Sequence, residues 1–98
     1  MPKIQVTPEL LEDQARQLRE KRDRHNENYQ AVKQHITSLE AEWQGEAQQA
    51  FYNRFQQSEP QMKQFAEELE KFANLMDQVA KTMRQAEEES KAAAQRLA

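Results

Sequence analysis

The chain has 98 residues, 32% of them charged and 7% aromatic, with a single Gly, no Cys and a net charge of −3. That composition describes one domain of long, solvated helices with a thin core, and it excludes disulfides, thiolate metal sites and a Cys nucleophile. Both signs of charge are mixed throughout, so no electrostatic case arises for nucleic acid as a partner or for acidic membranes.

Met1 to Val6 is short and mixed and is expected to be loosely held. It has no apolar core of the length a cleavable signal peptide needs, and no run of about 18 apolar residues exists to span a bilayer. Export, if it occurs, is therefore expected by another route. Thr7-Pro8-Glu9 reads as a helix start, with Thr7 as N-cap, Pro8 at the first helical position and Glu9 facing the positive dipole end. From there Leu11, Ala15, Leu18, Arg22, His25, Tyr29, Val32, Ile36, Leu39 and Trp43 recur at alternating intervals of four and three, the stripe of an amphipathic helix over about 8–42.

Arg22 and His25 interrupt that stripe. His35 has no helical spacing that would pair it with His25 on a metal, so the expectation is a wet level in the seam, with Arg22 snorkelling and His25 hydrogen-bonded. The five basic residues between Arg16 and Arg24 are broken by Glu20 and Asp23 and read as a solvated face.

Trp43-Gln44-Gly45 holds the only Trp and the only Gly. Gly reaches the left-handed conformation at low cost, so the first helix is expected to end on Gly45, with Trp43 plugging the gap where the helices separate. A second stripe follows: Ala47, Phe51, Phe55, Ser58, Met62, Phe65, Leu69, Phe72, Met76, Val79, Met83 and Ala86. It predicts a helix over about 46–89 that runs through Pro60 with a kink. From Ser90 the large apolar anchors stop, which predicts a flexible tail over 90–98. Glu12/Arg16, Glu20/Arg24, Glu67/Lys71, Asp77/Lys81 and Glu87/Lys91 are spaced to pair along the outward faces.

The fold class expected is all-α, a hairpin of two long antiparallel helices forming a single domain. Leu18, Tyr29, Val32, Ile36, Leu39, Phe51, Phe55, Phe65, Leu69, Phe72 and Met76 form its core or dimer surface. An isolated helix pair leaves part of each stripe wet, so two hairpins are expected to associate into a four-helix bundle. The carboxylates lie along outward faces, and no Gly-rich phosphate loop, metal cluster or triad-like set is present, which argues against an enzyme and against any cofactor.

The central Trp-X-Gly turn, the length near one hundred residues, the two unbroken stripes and the Phe51, Phe55-Gln56-Gln57, Pro60 and Phe65-Ala66 pattern resemble the WXG-100 (ESAT-6-like) family. These are small bacterial, virulence-associated substrates of type VII secretion. The resemblance implies export as a folded dimer, homodimeric or with a related chain, through a machine driven by an FtsK/SpoIIIE-like ATPase. It also implies a composite export signal, in which a C-terminal Tyr-x-x-x-Asp/Glu element lies beside the partner's Trp-X-Gly turn. That element falls on Met83-Arg84-Gln85-Ala86-Glu87, with Met83 in the Tyr slot, so Trp43, Gly45, Met83 and Glu87 are the candidate binding residues. Two other readings are a cytoplasmic helical adaptor, which has no need of a Trp at the turn, and a membrane-perturbing amphipathic protein, which lacks the usual basic polar face.

Overall fold

A computed structural model describes residues 5–97; the start of the Met1 to Val6 segment and the last position of the tail lie outside them. Two helices account for almost all of this range, α1 (Pro8–Glu42) and α2 (Glu46–Leu97). They form an antiparallel hairpin 81 Å long and 25 by 21 Å across.

α1 starts where its cap chemistry dictates. Thr7 is extended (φ −107°, ψ 157°), its Oγ1 accepts from the Leu10 amide at 3.1 Å, and its carbonyl accepts from the Leu11 amide at 3.1 Å. Pro8 fills the first helical position, where an N–H would have had no partner. α2 passes through Pro60 without a break. The spacing ends this helix near 89, yet it continues to Leu97. Lys91-Ala-Ala-Ala-Gln-Arg contains only strong helix formers and no breaker, and Arg96 lies in the last turn, where its charge complements the dipole. Loss of apolar anchors did not end the helix because propensity alone carries the last turns.

The contact between the helices is made of small residues. Ala15, Ala66, Ala73 and Ala80 are buried, and among the described residues no large side chain is fully enclosed. Ala66, Ala73 and Ala80 recur every seven residues, each directly after Phe65, Phe72 or Val79, so the same two-residue unit places a methyl against α1 and a large group about 100° around the helix. The interior that the stripe suggests is therefore not closed by one hairpin. Phe51, Phe65 and Phe72 are 48%, 53% and 55% exposed, and Val32 and Leu39 are each 48% exposed. Tyr29, Ile36, Phe55, Leu69, Met76 and Met83 are half-buried between the Ala line and this outward line.

Charge seals the opposite side of the hairpin. Arg19 reaches Asp77 at 2.7 Å and Asn74 at 3.0 Å, Arg22 pairs with Glu70, Lys33 lies 3.6 Å from Glu59, and Arg84 pairs with Glu12 and lies 3.5 Å from Glu9. Glu70 and Asp77 stand on the far side of the Ala line from Phe65. None of the five expected pairs four residues apart forms an ion pair among the described residues; Asp77 and Glu12 turn across the hairpin instead. A cross-helix partner fixes the register of α1 on α2, which a pair within one helix does not.

Candidate functional site

Three features stand out from the general helical surface: the turn, the outward apolar face and the far end of α2. At the turn, α1 stops at Trp43, which is extended (φ −115°, ψ 105°) and whose amide donates to the Leu39 carbonyl at 2.8 Å. Gly45 has φ +128°, and its carbonyl accepts from the Gln49 amide at 3.2 Å. Gly45 thus begins α2 rather than ending α1, which corrects the C-cap expectation. A Cβ at Gly45 would meet nothing within 4 Å, so the need for Gly comes from the backbone angle and not from crowding. Trp43 packs from the end of α1 onto the start of α2. Its ring lies against Phe51 (centroids 5.8 Å apart, planes at 49°) and remains 39% exposed.

The outward face combines one line from each helix. Leu11, Leu18, His25, Val32 and Leu39 lie seven residues apart on α1, as do Phe51, Ser58, Phe65, Phe72 and Val79 on α2. His25 joins the two lines: its ring contacts that of Phe65 at 5.0 Å, and its Nε2 lies 3.0 Å from the Met62 carbonyl. With Arg22 paired to Glu70 one turn away, this is the wet level expected in the seam. Nearer the turn, Tyr29 stacks on Phe55 (5.6 Å, 9°) at the floor of a hollow of about 210 Å³. The Tyr29 hydroxyl is buried without a hydrogen-bond partner. Burial raises its pKa above the ordinary 10.0, and the nearby Glu59 carboxylate adds to this.

At the far end, Met83 is half-buried, while Arg84 and Glu87 are exposed. The Glu12 carboxylate holds the Arg84 guanidinium and raises its already high pKa. Because Arg84 meets the first turns of α1, the last ten or so residues of α2 project beyond the hairpin by about 15 Å. The structure therefore separates the candidate binding residues into two groups. Trp43 and Gly45 are at one end, Met83 and Glu87 at the other, about 55 Å apart along α2. A single hairpin does not bring them together.

The fold and these features define a class: small all-α hairpins with one charged, self-sealed face and one apolar face left open. The family model described as "Proteins of 100 residues with WXG" (WXG100) matches residues 3–88, and the chain belongs to that family. Among solved structures, it is similar to the secreted protein EsxB from Bacillus anthracis str. Sterne. One EsxB structure is 29% identical, covering 89% of this chain and 99% of that one, with a TM-score of 0.80. Another is 30% identical, covering 86% and 97%, with a TM-score of 0.78. EsxA from Geobacillus thermodenitrificans, 22% identical over 91% of this chain and 96% of that one, shares the fold with a TM-score of 0.78. A search of curated proteins finds no significant match.

Proposed function

We propose that this chain is a small substrate or adaptor of a type VII (ESX-like) secretion system, exported as a folded homodimer. The Trp43–Gly45 turn of one copy and the Met83–Glu87 segment of the other then form the surface read by the FtsK/SpoIIIE-like ATPase of the exporter. The observation that carries this reading is the separation of the two elements. They lie at opposite ends of the hairpin, and an antiparallel pairing of two hairpins is the simplest arrangement that sets one beside the other. The open apolar face supplies a reason to pair: Phe51, Phe65 and Phe72, each about half exposed, are more apolar surface than a solitary hairpin of this charge content would leave wet. Membership of the family and likeness to proteins named as secreted support the export half of the proposal. No described helix is long and apolar enough to cross a membrane.

The test is the fraction of the protein in the culture medium of its source cell, against a cytosolic marker, for wild type and Trp43→Ala. Wild type outside and the variant inside, both remaining helical dimers by circular dichroism and sedimentation, is the expected result. Equal secretion of the two would remove the turn from the signal.

A further inference from the structure

The hairpin is not held with equal strength along its length. The buried alanines lie toward the end away from the turn: Ala15 on α1, and Ala66, Ala73 and Ala80 on α2. The cross-helix ion pairs follow the same division. Arg84 with Glu12, Arg19 with Asp77 and Arg22 with Glu70 tie that end, and Lys33 with Glu59, 3.6 Å apart, is the last toward the turn. From residue 34 to residue 58 no residue is buried and, among the described residues, no ion pair joins the helices.

The backbone of the same stretch is weakened from within. Pro60 has no amide, so the Gln56 carbonyl one turn earlier has no helical donor. The Ser58 hydroxyl donates back to the Phe55 carbonyl at 2.6 Å, and on α1 the Thr37 and Ser38 hydroxyls donate back to the Lys33 and Gln34 carbonyls, each at 2.9 Å. Hydroxyls turned back in this way slightly destabilise a helix and bend it. Helix on the turn side of Pro60 therefore gains little from continuity with the rest of α2 and depends on its contacts with α1. Two of those contacts are aromatic: Tyr29 on Phe55 at the base, with centroids 5.6 Å apart, and Trp43 on Phe51 at the tip, 5.8 Å apart. Leu39 and Phe51 are each 48% exposed there.

We propose that residues 34–58 form a hinged tip, with Pro60 as its hinge and the Trp43–Phe51 contact as its latch, which opens while the alanine-lined part of the hairpin stays folded. Opening frees the Trp43 indole and the first turns of α2 for the exporter without unfolding the whole chain, since the elements that move or bind are drawn from the less stable parts of a fold. The opening is a property of the hairpin itself. Its use by an exporter rests on the function proposed above, and the measurement below reads the opening with no exporter present.

The test is hydrogen exchange of the full chain, followed by mass spectrometry over peptides within 34–58 and 66–80. Corrected for intrinsic rates, the amides of 34–58 are expected to exchange about tenfold faster or more than those of 66–80, at a rate unchanged on dilution. Pro60→Ala restores a donor to the Gln56 carbonyl and is expected to slow exchange of the tip about tenfold or more. Phe51→Ala removes the aromatic partner of Trp43 and is expected to raise the ratio of tip to 66–80 exchange about two- to tenfold. Equal protection of the two stretches, tip exchange that accelerates on dilution, or a Pro60→Ala protein whose tip exchanges as in wild type would overturn the hinged tip. A ratio unmoved by Phe51→Ala would overturn the latch. The comparison within the wild-type chain stands whatever either variant does to folding, and none of these results touches the export reading.

Discussion

Phe72→Ala separates an interior residue from an interface residue. In the single hairpin, Phe72 is 55% exposed, so truncation there removes only the contacts of its inner half. In the dimer that exposed part is covered. An aromatic side chain offers 150–250 Å², so roughly 100 Å² of Phe72 surface is left for a partner to bury. At about 25 cal/mol per Å² that is about 2.5 kcal/mol per copy, and the two-fold axis doubles it to about 5 kcal/mol. Dimer affinity is then expected to fall by about 10³ to 10⁴. Sedimentation equilibrium over a dilution series reads this directly. Leu97→Ala, at a residue 90% exposed and beyond the end of α1, is the control expected to change nothing. A Phe72→Ala protein with a dissociation constant within threefold of wild type would refute the claim that this face is covered by a second copy.

Other substitutions test the remaining physical claims. Ala73→Leu forces extra methylenes between α1 and α2 and is expected to cost about 1–3 kcal/mol in urea unfolding; an unchanged midpoint would mean that the Ala line is not the helix contact. Gly45→Ala and Gly45→Asn are expected to cost about 1–3 kcal/mol each. The φ of +128° lies beyond the left-handed well that Asn tolerates, so rescue by Asn would contradict the described turn. Tyr29→Phe removes a buried hydroxyl that lacks a partner and is expected to be neutral or to stabilise by up to about 1 kcal/mol. Because the folded pKa of Tyr29 is raised above 10.0, its contribution is fully present below pH 10 and lost as pH rises through the folded value. The urea midpoint of wild type should therefore fall more steeply than that of Tyr29→Phe above pH 10, and parallel curves would contradict this.

Local chemistry was plainly written in the sequence where single residues decide it. Thr7-Pro8-Glu9 specifies the start of α1, the alternating stripes specify two helices, and the only Gly marks the chain reversal. Which side of each stripe meets which neighbour was less apparent, because a four-three stripe is wide enough to serve two contacts. The large residues define the stripe, whereas the hairpin closes on the Ala that follows each of Phe65, Phe72 and Val79. That seven-residue repeat of a large group followed by Ala was a readable signal. The ion pairs could not be read from spacing, since Asp77 and Glu12 have local partners in sequence and better-placed ones across the hairpin, in Arg19 and Arg84. Apolar spacing does not mark the helical end of α2, because the propensity of the residues from Lys91 to Arg96 needs no packing.

The central claim is that the export signal is assembled from two copies, and it is tested most directly by co-expressing two defective chains. A pair formed from Trp43→Ala and Glu87→Ala has one end with both elements changed and one end with both intact. The account predicts that each variant alone stays in the cytosol and that together they appear in the culture medium, with dimerisation unchanged. Retention of the co-expressed pair would mean that each chain carries its own signal, and normal export of Glu87→Ala alone would remove the C-terminal segment from it.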